Sequence, residues 1–181
     1  MKNILYPRRD QWSQILKRPT QTVKEIEATV NEVFNDVQIN GDTAIKKYTK
    51  QFDKVSLSSF LVTQDEIKRA VQSVSNELKV AIQKAAGNIE KFHNAQKTEK
   101  VYQETTSGVV CWQEKRPIQK VGLYIPGGTA PLFSTVLMLA IPAKIAGCQE
   151  IILCSPPNKE GEIANEILYA ASLCGVTNIY K

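Results

Sequence analysis

Apolar residues in the first half of the chain recur at intervals of three and four, the spacing of one helix face. Val23, Ile26, Val30, Val33, Phe34 and Val37 keep that spacing and predict a helix that Asn40-Gly41 stops. Thr22 and Glu25 form a possible capping box at its start, because hydroxyl and carboxylate can each accept from an unpaired N–H of the first turn. A shorter helix is predicted before it, from Asp10 to Lys17, ended by Pro19. Asp42 can cap a third helix that carries Ile45, Tyr48 and Phe52 on one rough face. Phe60-Leu61-Val62 reads as a short strand. Thr63 with Glu66 is a second capping box, leading into Ile67, Ala70, Val71 and Val74. Ser75 then caps a long helix to about Gln96, with Leu78, Ala81, Ile82, Ala85, Ile89 and Phe92 on its buried side. Gly87 lies inside that helix, where glycine costs up to about 1 kcal/mol, so another element is expected to approach closely there.

The rhythm changes at Val101. Val101–Thr106 and Val109–Gln113 read as a β-hairpin turning at Ser107-Gly108. Lys115–Lys120 is a polar connector and the expected domain boundary. Strands and helices then alternate: strand 121–125, helix 134–147, strand 150–154 ended by Ser155-Pro156-Pro157, helix 161–174, and strand 176–180. Ile163, Ile167, Leu168 and Ala171 point inward from the second of these helices, which Gly175 stops. Such alternation implies parallel pairing through right-handed crossovers. Pro142 removes a hydrogen bond to the Met138 carbonyl and should kink the first crossover helix. The fold class is α/β: a helical N-terminal region with a β-hairpin, then a βαβαβ Rossmann-like parallel half-sheet. A third strand with no helix after it makes that half-sheet incomplete at its C-terminus. The expected domains are an arm over 1–19, a mainly helical part of a first α/β domain over 20–118, and the βαβαβ part of a second over 119–181.

Composition narrows this picture. The chain has 181 residues, of which 43% are hydrophobic and 23% charged, as in an ordinary globular protein. It has no apolar run long enough to span a bilayer and no signal-peptide core after Met1-Lys2-Asn3, so a cytoplasmic location is expected. The net charge of +5 is spread along helices among acidic residues, with no long basic run, which reads as solvated faces rather than a nucleic-acid or membrane surface. Cys111, Cys148, Cys154 and Cys174 form no C-x-x-C pair and are expected to be buried, reduced thiols. His93, the sole histidine, sits on the edge of an apolar face and reads as a packed, hydrogen-bonded residue rather than a base.

The stretch from Val121 to Gly147 carries the candidate chemistry. An apolar strand breaks at Pro126-Gly127-Gly128, and a helix apolar nearly all round follows, with Ser134 or Thr135 as its cap and Gly147 as its stop. A helix N-terminus outside a strand's carboxyl end offers free N–H donors and a partial positive charge, and parallel sheets bind ligands there. Gly127 and Gly128 would let a ligand lie close to backbone; a plain strand-to-helix connection is the other reading. The pattern is not the dinucleotide fingerprint G-x-G-x-x-G.

The same residues carry a resemblance. Val121-Gly-Leu-Tyr-Ile-Pro-Gly-Gly-Thr-Ala-Pro131, Ser134-Thr-Val-Leu-Met138 and Ile141-Pro-Ala-Lys-Ile-Ala-Gly147 are similar to the signature of histidinol dehydrogenase. Gly41-Asp42-Thr-Ala44, Phe52-Asp53, Ile89-Glu-Lys-Phe-His-Asn-Ala-Gln96 and Cys154-Ser-Pro-Pro157 extend it over essentially the whole chain, as an N-terminal portion. The resemblance implies an NAD-dependent zinc enzyme of histidine biosynthesis. Such an enzyme oxidises L-histidinol to L-histidine through an aldehyde with two NAD, and works as a homodimer. It implies that Tyr124 contacts NAD, with Gly127 and Gly128 as backbone contacts; an aromatic filling space between layers is the other reading of Tyr124. The family's zinc ligands and its Glu-His proton-handling pair have no counterpart in these residues, so no catalytic or metal-binding residue is assigned and the chain alone is expected to be inactive. The arm at Asp10–Lys17 is expected to pack on a partner chain. Two further readings remain: a nucleotide- or phosphate-binding α/β module of other chemistry that uses the 126–134 loop, and a basic protein that contacts nucleic acid.

Overall fold

Gly41 turns into the left-handed region, at φ +53, and ends the first long helix where its sequence predicts. In the computed structural model, which describes residues 4–17, 23–127 and 130–181, the chain forms two compact units, Met1–Tyr48 and Thr49–Lys181. The Thr22–Glu25 capping box and Gly128 lie outside the described residues.

The first unit is helical. A 3-10 turn at Arg9–Gln11 runs into α1 (Trp12–Ile15), and α2 (Val23–Asn40) leads into α3 (Asp42–Phe52). Asp42 is the first helical residue rather than the cap: the Gly41 carbonyl already accepts from Ala44 and Ile45. Its charge still suits the positive end of the helix. Of the face expected on α3, Tyr48 is buried, joined by Ala44, while Phe52 is 54% exposed. The predicted stripe on α2 is not buried either, with Ile26, Val30 and Phe34 all exposed. Helical spacing sets which residues share a face; only a neighbouring layer can bury it. Lys47 donates to Asp36 at 2.7 Å, and that bond, with a second from Asn40, lowers the Asp36 carboxyl to about 2.

The second unit places helices α4 (Gln64–Ser73), α5 (Asn76–Asn94), α6 (Phe133–Ala146) and α7 (Asn165–Leu173) on one side of a parallel sheet. Strands β3 (Lys120–Tyr124), β4 (Glu150–Cys154) and β5 (Asn178–Tyr180) lie in that order, all parallel. Their core face carries Leu123, Ile125, Leu153 and Ile179, packed with Val136, Leu137 and Ala140 of α6 and with Ile167, Leu168 and Ala171 of α7. Helix α5 packs on α6 and α4 on α7, so the helices stand two layers deep. The hairpin of β1 (Val101–Thr106) and β2 (Val109–Gln113) is antiparallel, and Gly108 takes φ +80 at its turn.

Several local expectations are corrected. Helix α6 starts after Leu132 with no side-chain cap, so neither Ser134 nor Thr135 caps it. Pro142 lies inside it, and Gly147, left-handed at φ +91, stops it as expected. It is not buried all round: Met138 is 50% and Leu139 39% exposed, because α5 covers only one side. Helix α7 begins at Asn165 rather than 161. The Asn158 Oδ1 accepts from the N–H groups of Glu160 and Glu162 and holds a turn there instead. On α5, Ala81 and Phe92 are exposed and only Ile82 is fully buried. A Cβ at Gly87 would meet nothing within 4 Å, so no element among the described residues approaches it; Gly87 lines an open groove between α5 and α6. The cysteines are free, but Cys111 and Cys154 are exposed; burial lifts the Cys174 thiol to about 11.

Phe60–Val62 makes an isolated bridge rather than a strand. Leu61 pairs antiparallel with Tyr180, Val62 donates to Ile179 at 2.9 Å, and Lys181 donates to Phe60 at 2.8 Å. Immediately after it, Thr63 and Glu66 close the predicted capping box, and Ser75 caps α5 by accepting from Leu78. The Lys181 ammonium reaches the same Glu66 carboxylate, with side chains only 11% and 18% exposed. Burial pushes the Glu66 carboxyl up, but the Lys181 ammonium and the Thr63 donors outweigh it and hold it below its ordinary value. Glu66→Ala is therefore expected to cost about 1–3 kcal/mol, from a lost cap and a stranded lysine, measured by urea unfolding. A carboxyl lowered on folding stabilises above its unfolded value and loses that contribution as pH falls. The urea midpoint should thus drop on acidification below the ordinary glutamate value of 4.5, less steeply in Glu66→Gln.

Candidate functional site

Two adjacent parallel strands end in chain breakers at the same level. Ile125, fully buried just past β3, donates to the Cys154 carbonyl at 2.9 Å, and Ser155, just past β4, donates to the Tyr180 carbonyl at 3.0 Å. Beyond them the chain leaves the sheet at Pro126-Gly127 and at Pro156-Pro157. Proline has no N–H to continue a ladder, so both ladders stop there. The loops that follow part into a cleft of about 190 Å³, lined by Pro126, Gly127, Ser155, Pro156, Asn158 and Glu162 among others.

Gly127 is needed there for packing. A Cβ at this position would stand 2.7 Å from the Pro156 ring, so the missing side chain is what lets the two loops touch. Ser155 is 2% exposed, lines the same cleft, and its hydroxyl has no hydrogen-bond partner. A buried hydroxyl without a partner costs free energy that a bound polar group would recover. The far wall is held by the Asn158 turn, with Gly161 at φ +79 against Leu57 and Val55. Among the described residues no lysine or arginine lines the cleft, and Glu162 does. That charge balance suits a neutral polar group better than a free phosphate.

Tyr124 is not a lining residue of the cleft. It closes β3, is 63% exposed, and lies opposite Cys154 in the ladder, with its side chain on the face away from Leu123 and Ile125. It therefore does not fill space between the layers. His93 is elsewhere: its Nδ1 is 2.6 Å from the Gln96 amide oxygen, and its ring meets Phe92 edge-on. It borders a separate groove with Lys97, Lys115, Arg116 and Pro142. The histidine is hydrogen-bonded as expected, but half-buried rather than packed in the core. Ser155 was not singled out from sequence; the signal was available in the pairing of two chain breaks, each directly after an apolar strand.

Comparison with known proteins bears on what this cleft belongs to. A family model described as histidinol dehydrogenase matches residues 16–181. The chain belongs to the histidinol dehydrogenase family. A relative of that name from Bacteroides thetaiotaomicron is 54% identical over all 181 residues, which are 42% of its own length. One from Pasteurella multocida is 55% identical over 91% of this chain and 38% of its own. The crystal structure of histidinol dehydrogenase from Elizabethkingia anophelis superposes with a TM-score of 0.90 at 52% identity, over 97% of this chain and 40% of that one. The chain thus spans about two fifths of the family's length and corresponds to its N-terminal portion.

Proposed function

We propose that this chain supplies the strand-end face of a nicotinamide-nucleotide site in an enzyme that oxidises L-histidinol to L-histidine through the aldehyde, in histidine biosynthesis. The observation that supports it most is the cleft at the carboxyl ends of β3 and β4, where the Ser155 hydroxyl lacks a partner and Tyr124 stands exposed on the adjoining strand end. NAD, when bound, accepts the hydride. In this reading Tyr124 stacks on a flat ring of the cofactor. Gly127 and Gly128 present backbone to it, and the Ser155 hydroxyl donates to a polar group of the nucleotide.

The described residues of this chain do not fit zinc. His93 is the one imidazole and is turned to Gln96, and among the described residues no three His, Cys, Asp or Glu side chains converge. A homodimer and a cytoplasmic location belong to the same proposal. The exposed apolar stripe of α2 is consistent with a partner chain, and among the described residues no helix is long and apolar enough to cross a membrane.

Titration calorimetry with NAD, AMP and inorganic phosphate tests the reading. NAD should bind weakly, and Tyr124→Ala should weaken it about tenfold, the worth of a lost ring contact. The chain with histidinol and NAD should show no nucleotide reduction above background. Binding of phosphate equal to that of NAD, unmoved by Tyr124→Ala, would instead favour an anion-binding module of other chemistry.

A further inference from the structure

No long basic run occurs in the sequence, but the fold assembles a basic cluster. Lys97 follows α5, and Lys115 and Arg116 open the connector into β3, with the whole hairpin between them in the chain. Together with His93 these side chains line one groove of about 490 Å³. That is larger than the cleft at the strand ends and falls within the usual range for small-molecule sites, roughly 300–1,000 Å³. It also lies at the other end of β3. The connector enters that strand at Lys120, and the cleft begins beyond Tyr124, five residues later. Five extended residues span roughly 16 Å.

The charges of this groove are unbalanced. Three of its lining side chains are cations and one, Glu99, is a carboxylate. Among the described residues Lys97 has no ion-pair partner, and Lys115 donates to the Thr98 hydroxyl alone. Arg116 has Glu114 at 3.1 Å, but Lys100 shares that carboxylate at 3.7 Å. The Lys115 bond joins the connector to the segment after α5, so its ammonium is held at the groove. Carboxyl ends of helices attract cations, and both α5 and α6 end here. Each end offsets only about half a charge, which is too little to account for three cations. The other lining residues give the groove an apolar part. Pro117, Pro142 and Ile145 supply it, and the two proline rings are fixed by their own backbone.

We propose that this groove binds a small phosphomonoester, its phosphoryl group among Lys97, Lys115 and Arg116 and its organic body against Pro117, Pro142 and Ile145. A phosphomonoester carries close to two negative charges and three strong acceptor oxygens. Each cation then has an oxygen to meet, and the Arg116 guanidinium can offer two parallel N–H groups to the phosphoryl. A carboxylate, with two oxygens and one charge, leaves a cation unmatched. The site is a second one, separate from the nucleotide cleft, and takes a different chemical class of ligand.

Titration calorimetry of the 181-residue chain with phenyl phosphate is the test. The Kd should be about 0.1–1 mM, the reach of a ligand of that size. Inorganic phosphate should bind about tenfold more weakly, the worth of covering roughly 60 Å² of apolar surface. Benzoate, which keeps the ring and has one charge, should also bind more weakly. Lys115→Gln and Arg116→Gln should each weaken phenyl phosphate at least fivefold. The Arg116 side chain is 82% exposed, so Arg116→Gln should keep the parent melting temperature and carries the test even where Lys115→Gln melts early. Lys68→Gln, which removes an exposed cation of α4, should change nothing. NAD affinity should fall in Tyr124→Ala and stay in Arg116→Gln, with phenyl phosphate behaving in the opposite way. Phosphate binding that vanishes in Arg116→Gln belongs to this groove and leaves the nucleotide reading untouched. Phenyl phosphate that does not bind, binds no better than inorganic phosphate, or is held equally by Arg116→Gln would each overturn the proposal. So would an equal loss in Lys68→Gln, which would make the attraction one of net charge alone.

Discussion

Leu153→Ala should lose about 2–5 kcal/mol of unfolding free energy in urea, the range for truncating a fully enclosed leucine. Leu153 is 0% exposed in β4, the central strand, between the Leu123 and Ile179 neighbours of its ladders and beneath α6 and α7. Strands on both sides fix its backbone, so the site has little freedom to collapse into the vacated volume. The m-value should stay constant, which would assign the loss to stability rather than to a looser unfolded chain. A loss under about 1 kcal/mol would mean that the sheet and the two crossover helices do not form one core.

Gly127→Val should damage both stability and nucleotide binding. The first added carbon alone would stand 2.7 Å from the Pro156 ring, which is locked by its own backbone and cannot swing aside. One loop must move, at a cost of about 1–3 kcal/mol for overpacking. The movement opens the cleft where Ser155 lies buried, so NAD affinity should fall by more than tenfold while helical circular dichroism is kept. Ser155→Ala separates the two effects. It removes a partnerless hydroxyl and should leave stability unchanged or slightly higher, yet still weaken the nucleotide. Should Gly127→Val bind NAD like the parent, the cleft is not part of the nucleotide site.

The elements were legible wherever a local device decides them. Gly41, Gly108, Gly147 and Gly175 all adopt positive φ at the stops and turns their positions predict, and the Thr63–Glu66 and Ser75 caps form as written. These depend on a few neighbouring residues and on glycine's freedom from a Cβ. What was illegible was exposure. Phe34, Phe92 and Met138 sit at correct helical intervals and are nonetheless exposed, because the layer that would bury each is not encoded within its own helix. Helix α7 starts late because the Asn158 side chain captures two N–H groups, a local competitor that apolar spacing does not reveal. At the candidate site the strand end could be placed from sequence, since breakers after an apolar run mark it. The role of Gly127 could not, because the Pro156 ring that requires it arrives from a different loop.

The bridge between Leu61 and Tyr180 has a consequence for how the chain is made. It joins residues more than a hundred positions apart, and the Glu66–Lys181 pair beside it does the same. Contacts of such separation form late, because the loop between them must be ordered first. During synthesis α4 and α5 can appear with their caps early, but the edge that shelters Val62 waits for β5 to leave the ribosome. Until then the nascent helices carry an unsheltered apolar side, and this is the interval in which chaperone contact would matter most.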